Sequence, residues 1–301
     1  MFEIRKATKT QARLRMAIHG PSGSGKTMTA LLIGKALGRV LVIDTERSSS
    51  EKYAELDFDI SPMQPPYNPR SLIDGLPKLT SHDVVIIDGL TPFWNGAGGL
   101  LEMHDEEVKK KIANGRKVDT FAAWKNITPV YRRMVDAIIS CPAHVITTLR
   151  AKTEYDRDEK GRIQKKGFAP EMRDQFDYEL DIEASMIEDD GAHYMSIRKT
   201  RCSALSGRTF KNPGSDVAGI LKSWLSEGAP MPVKAPVISK FDEFMGAIAR
   251  RELEGLADRV NEAKNSGELS PHHLNLIRAE FSKAFAAPAV AAPNSQPKAV
   301  A

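Results

Sequence analysis

Eight residues near the start of the chain have the types and spacing to hold a triphosphate: Gly20-Pro21-Ser22-Gly23-Ser24-Gly25-Lys26-Thr27, a G-x-x-x-x-G-K-T run. The glycines let backbone N–H groups turn inward around phosphate oxygens, Lys26 can reach the β and γ oxygens, and the Thr27 hydroxyl is a ligand for Mg²⁺. Met28, the next residue, completes the expected contact set.

This chemistry needs a strand before the loop and a helix after it. Residues 13–19 (RLRMAIH) alternate as a short strand does, and 28–37 (MTALLIGKAL) carry apolar residues at helical spacing, closed by Gly38 as a stop signal. Two continuous apolar runs follow, 39–46 (RVLVIDTE) and 83–88 (DVVIID). Both read as strands of a parallel sheet buried on two faces, with their acids at the carboxyl edge, where ligands of open α/β sheets bind. Asp88 is therefore placed to hold Mg²⁺ with Thr27. Residues 143–150 (AHVITTLR) form a further strand, whose Arg150, or Lys152 just beyond, is placed either at the γ-phosphate or on the surface.

With 41% hydrophobic and 27% charged residues in 301, the chain can build one sizeable core and an appendage. The formal net charge of +4 permits contact with nucleic acid without demanding it. Cys141 and Cys202 form neither a C-x-x-C pair nor a zinc cluster. No apolar leader or membrane span is evident, so a cytoplasmic protein with no membrane partner is expected. Residues 152–166 read as a hairpin in which Lys152, Arg157, Lys160, Arg162, Lys165 and Lys166 lie near Tyr155 and Phe168. Cations among rings suit single-stranded DNA, although exposed hairpins are also charged for solubility. Lys109-Lys110-Lys111 reads as a solvated helix face. Residues 178–186 and 193–200 alternate as two strands, the second running into Lys199 and Arg201. The expected organisation is a nucleotide-binding α/β domain over 1–227, a proline-rich linker at 228–237, a three-helix module at 238–286 and an Ala/Pro-rich tail at 287–301.

On GPSGSGKT, VLVIDTE, VVIIDG and the late strand ending in KTR, the first 227 residues resemble the phage-encoded RecA-like core ATPases, a group often labelled AAA-family. That group includes a single-strand annealing protein of phage recombination. The resemblance implies a mostly parallel central sheet flanked by helices, ATP and Mg²⁺ as ligands, and ATP hydrolysis in a ring or filament on single-stranded DNA. It implies the host bacterial cytoplasm as location and a single-strand-binding protein as a further partner. It also implies roles: Glu46 activates the attacking water, because residue 89 after Asp88 is glycine, and Lys199 with Arg201 reaches the neighbouring subunit's site. Such a finger typically supplies about 10³ to 10⁵ in rate. The extra domains of full-length recombinases are missing from the pattern, so pairing of duplexes is not implied. Two other readings share the phosphate loop: a nucleotide-switched loader or adaptor of a replication or recombination partner, and a small-molecule kinase.

Overall fold

The computed structural model describes residues 6, 11–113, 120–157, 163–229, 240–265, 269 and 271–286, without the side chains of 121, 154–157, 163–166, 240–242, 265, 271–272 and 284–286. In chain order its strands are β1 (Arg15–Gly20), β2 (Val40–Asp44), β3 (Asp59–Pro62), β4 (Val84–Asp88), β5 (His144–Arg157), β6 (Ile163–Pro170), β7 (Ile182–Asp189), β8 (Ala192–Thr200) and β9 (Thr209–Lys211). The helices are α1 (Lys26–Leu37), α2 (Pro69–Gly75), α3 (Thr91–Asn95), α4 (Leu100–Ala113), α5 (Thr120–Ser140), α6 (Ser215–Ser226), α7 (Lys240–Ala249), α8 (Leu256–Asn265) and α9 (Pro271–Ala286).

The sheet runs β3-β2-β4-β5-β1-β7-β8-β9, with β6 paired to the far half of β5. From β3 to β7 every neighbouring pair is parallel, while β8 and β9 add an antiparallel edge. All residues of β1, β2 and β4 are buried, which is why β2 and β4 are continuous apolar runs up to their terminal acids. Alternate side chains feed two cores. Ala17, Ile43, Val85 and Ile87 pack with Leu72, Phe93 and Met134 on one face. Met16, Ile18, Val42 and Ile86 pack with Leu31, Val217 and Leu221 on the other. Sheet register then fixes the functional edge, because Gly20 lies opposite Arg150 and Asp44 opposite Asp88.

The opposite edge is closed by a buried arginine. Arg15 is only 6% exposed. Its guanidinium donates to the carbonyls of Leu14 (2.8 Å), Ile139 (2.7 Å), Cys141 (2.5 Å) and Ala143 (2.9 Å), capping the C-terminal end of α5. The alternation read in residues 13–19 belongs to this role, since β1 itself is buried on both faces.

The short strands β3 and β9 escape the hydrophobic pattern. Three of the four β3 side chains are exposed and one of the four residues is proline, and β9 has three residues. The strand expected from residue 178 begins at Ile182, because Phe176–Glu179 form a 3-10 turn. The chain divides into two compact units, Met1–Pro232 and Val233–Ala301. In the second unit Phe244, Ile248, Leu256, Leu274 and Ile277 of α7, α8 and α9 form a separate core. The tail from residue 287 and linker residues 230–237 lie outside the described residues. Both cysteines are free and buried. Among the described residues no helix is long and apolar enough to cross a membrane, and no metal-holding cluster of His, Cys, Asp and Glu occurs.

His144 gives the fold a pH dependence. Its Nδ1 accepts the Leu14 N–H at 2.9 Å, and burial, with Arg13 and Arg15 nearby, pushes its pKa down from 6.5 to about 4. The folded state thus holds the neutral ring while the unfolded chain takes up a proton below pH 6.5. Stability is full above that value and is lost as pH falls towards 4. Chemical denaturation across this window should show unfolding free energy falling by about 3 kcal/mol, and His144→Gln should flatten that slope.

Candidate nucleotide site

The phosphate loop leaves the sheet where β1 ends and enters α1 through Gly25, which caps the helix in the left-handed region at φ 84°. A Cβ on Gly25 would lie 2.9 Å from the His193 ring, and one on Gly20 would strike the Met186 carbonyl and approach Ser24 Oγ to 2.6 Å. The loop is therefore pressed between α1 and the β7–β8 hairpin, and only glycine allows the approach at both positions. Ser24 Oγ donates to the Pro21 carbonyl at 2.8 Å, fixing the turn. Lys26 Nζ donates to the same carbonyl at 2.7 Å, so the cation folds over the mouth of its own loop. Ser22 and Gly23 are exposed, whereas Lys26, Thr27 and Met28 are half-buried.

Asp88, at the end of β4, is 2% exposed. It accepts the Thr27 hydroxyl at 2.9 Å and the Thr148 hydroxyl at 2.5 Å. Burial raises its pKa, opposed by the two hydroxyl bonds and reinforced by Asp44 and Glu46 nearby. Burial lowers the pKa of Lys26, against the attraction of Asp88 and Glu46. A glycine-lined cradle, a lysine at its mouth, and a hydroxyl with a buried carboxylate that has only neutral donors fit a nucleoside triphosphate with Mg²⁺.

Glu46 follows β2 on a turn built by the buried Asp44. The Asp44 carboxylate accepts the backbone N–H groups of Glu46 (2.7 Å), Ser48 (3.1 Å) and Ser50 (3.1 Å), and also the Ser50 hydroxyl. Thr45 clips that turn to the end of β4, its hydroxyl accepting the Gly89 N–H at 2.9 Å and its N–H donating to the Asp88 carbonyl at 2.7 Å. The Asp88–Gly89 peptide is cis. The Glu46 side chain extends over this junction, its Oε1 3.6 Å from where a Cβ on Gly89 would stand. There it meets Arg150 of β5, at the level where β1 ends, whose Nη2 lies 3.0 Å from Oε1 and 3.2 Å from Oε2. Helix α1, the turn after β2, and strands β4 and β5 thus bring Lys26, Thr27, Glu46, Asp88, Thr148 and Arg150 to one edge.

Other residues singled out in the sequence lie elsewhere. Lys199 and Arg201 lie at the opposite edge of the sheet, since Lys199 faces Glu183 in register and the Arg201 N–H donates to the Asp181 carbonyl. The Lys199 ammonium donates to the carbonyls of Asp177 and Leu180, and Arg201 pairs with Asp181 at 3.0 Å. Neither is brought to the phosphate loop of its own chain. Lys152 is exposed on β5, while the side chains of Arg157, Lys165 and Lys166 and the whole of Lys160 and Arg162 lie outside the described residues. Thr148, the pairing of Arg150 with Glu46, and His193 against Gly25 were missed by sequence reasoning. For Thr148 a signal existed, because a hydroxyl near the end of a buried strand needs a partner.

The charged Asp88 is a cost at neutral pH. Its folded pKa lies above the unfolded value, so its contribution favours the fold only in acid and is lost as pH rises through the folded pKa. Without divalent cation, Asp88→Asn should melt about 2 to 4 °C higher than the parent. Calorimetry with added Mg²⁺ and nucleotide should raise the parent's Tm and leave the variant's nearly unmoved.

Comparison with known families places most of the first unit within one of them. The family described as AAA domain matches residues 12–207. No curated protein matches the chain. Among solved structures, a KaiC-like protein from the hyperthermophilic archaeon Pyrococcus horikoshii OT3 is similar at 13% identity and a TM-score of 0.37, over 67% of this chain and 85% of that one. A family match that spans the loop, both acid-bearing strands and the β7–β8 hairpin covers most of the first unit, and the chain belongs to the AAA-domain family.

Proposed function

We propose that this protein is an Mg²⁺-dependent ATPase of RecA-like type, active as an oligomer on single-stranded DNA in phage-type annealing or recombination. The observation that carries the hydrolytic part is the convergence of Lys26, Thr27, Asp88 and Glu46 at one edge of the sheet. The loop amides and Lys26 would bind and orient the phosphates, and Thr27 with Asp88 would hold Mg²⁺, which neutralises charge on the transferring phosphoryl group. Glu46 is the general base. It takes a proton from water as the water oxygen bonds to the γ-phosphorus and the bond to the ADP oxygen breaks.

Arg150 sits on that base. Its bond to Glu46 orients the carboxylate over the Asp88–Gly89 junction, and its guanidinium is a donor for a γ-phosphate oxygen. For the oligomer, a head-to-tail contact joins two different surfaces of the same subunit. Arg201, with its exposed head at the edge opposite the phosphate loop, suits the role of a trans-acting cation on a neighbour's nucleotide. Lys199, engaged with two carbonyls, suits the role of bracing that edge. The compact C-terminal unit favours a second reading, in which nucleotide turnover times the release of a protein partner held by α7, α8 and α9.

ATP turnover and oligomer size measured with and without single-stranded DNA test the proposal. Single strands should accelerate turnover, and Lys26→Ala should abolish it. Glu46→Gln should keep labelled-nucleotide binding while lowering kcat about 10²- to 10⁴-fold. Turnover that survives Lys26→Ala would remove the assignment of the loop, and turnover blind to DNA would favour the partner-release reading.

A further inference from the structure

A second concave site lies beside the nucleotide edge, in a groove of about 1010 Å³ bordered by Trp94 of α3, Trp124, Lys125 and Arg132 of α5, Lys152 of β5 and Arg173. Its rings are already ordered. Trp94 and Trp124 stack with centroids 5.8 Å apart and planes 19° apart, and His104 stacks on Trp124 at 4.5 Å. The Arg173 guanidinium lies 5.3 Å from the Trp124 ring centroid and 4.9 Å from that of Tyr131, and donates to Thr128 Oγ1 at 3.3 Å.

Cations outnumber carboxylates in the lining of the groove. Four cations border it against one carboxylate, Asp174. Lys125 and Arg132, seven residues apart on one face of α5, are exposed, as is Lys152, and none of the three has an ion-pair partner among the described residues. Like charges gathered without counter-charge repel one another, and a polyanion converts that repulsion into binding. Half-buried tryptophans in the same groove add a requirement for flat, unpaired rings, which a duplex keeps inside its stack.

We infer that this groove binds single-stranded nucleic acid, its phosphates following Lys125, Arg132 and Lys152 and a base stacking on the Trp94–Trp124 pair. The inference rests on the single-stranded DNA reading above and gives that reading its own surface, described independently of the hairpin tip. The groove also touches the nucleotide edge through shared elements. Lys152 is two residues from Arg150 on β5, and α3, which carries Trp94, begins at Thr91, whose hydroxyl accepts the Arg150 N–H at 3.0 Å.

The test is fluorescence anisotropy of a labelled oligothymidylate titrated with the full chain, repeated over a salt series and with a duplex of equal length. Binding of a labelled ATP analogue serves as the check on folding. The parent should bind the single strand with quenching of tryptophan fluorescence. Trp124→Ala should weaken binding about 10-fold or more. Lys125→Gln with Arg132→Gln should weaken it and flatten the plot of log K against log salt by about 0.7 for each cation removed. If Trp124→Ala no longer binds nucleotide, the two exposed glutamine substitutions decide. Parent-like affinity in those variants, with nucleotide still bound, would overturn the groove while leaving the DNA reading standing. No single-strand binding by the parent would overturn both, and equal affinity for duplex would overturn the stacking part.

Discussion

Everything at the functional edge is arranged around a buried negative charge that the protein alone does not neutralise. Asp88 is nearly inaccessible and receives only two neutral hydroxyl bonds, with Asp44 and Glu46 close enough to raise its pKa further. Lys26, the cation drawn towards Asp88 and Glu46, is turned to the Pro21 carbonyl. A carboxylate in such surroundings is stabilised by a cation that enters with its own ligands, and a metal bound to phosphates has that character. The same arrangement that costs stability in the empty protein therefore becomes a binding term when the site is filled.

The parallel sheet makes this concentration of charge tolerable. Parallel strands place all their carboxyl ends on one edge, so acids terminating β2 and β4 become neighbours by register rather than by proximity in sequence. Their roles nevertheless differ. Asp44 spends its carboxylate on the N–H groups of Glu46, Ser48 and Ser50, which shapes the turn that presents Glu46. Asp88 keeps its oxygens on hydroxyls that a metal can share or displace. Removing the Asp44 side chain would leave several N–H groups without an acceptor, at about 1 to 3 kcal/mol each, so the position of Glu46 depends on the buried acid two residues before it.

Much of this was legible beforehand because the phosphate loop and buried strands write strong local patterns. The strand, loop and helix around Gly20–Thr27, and the acid-ended runs at 39–46 and 83–88, stand in the structure as β1, α1, β2 and β4. What escaped was set by neighbours far away in sequence. Residue spacing does not reveal that β8 runs antiparallel to β7 and carries Lys199 and Arg201 away from their own loop. Nor does it show that Arg15 leaves the strand pattern to cap a helix ending more than a hundred residues later. The groove escaped for the same reason. Trp94, Trp124, Lys152 and Arg173 lie on four different segments, and only the packing of α3 and α5 beside β5 brings them together.

The Glu46–Arg150 pair is the remaining step between this edge and chemistry. Both side chains are partly exposed, at 35% and 54%, and an ion pair so open to water is worth about 0.2 to 1 kcal/mol. Breaking it is thus a small part of the barrier to phosphoryl transfer, and a triphosphate, with more charge and more acceptor oxygens than one carboxylate, competes for the guanidinium on favourable terms. While the pair is closed, the Arg150 guanidinium bonds to both carboxylate oxygens of Glu46. On the proposed reading, a guanidinium that turned to phosphate would free one Glu46 oxygen for water and give the transferring group a positive neighbour. A weak bond is the right one here, because a buried pair of several kcal/mol would hold the base closed against the nucleotide itself.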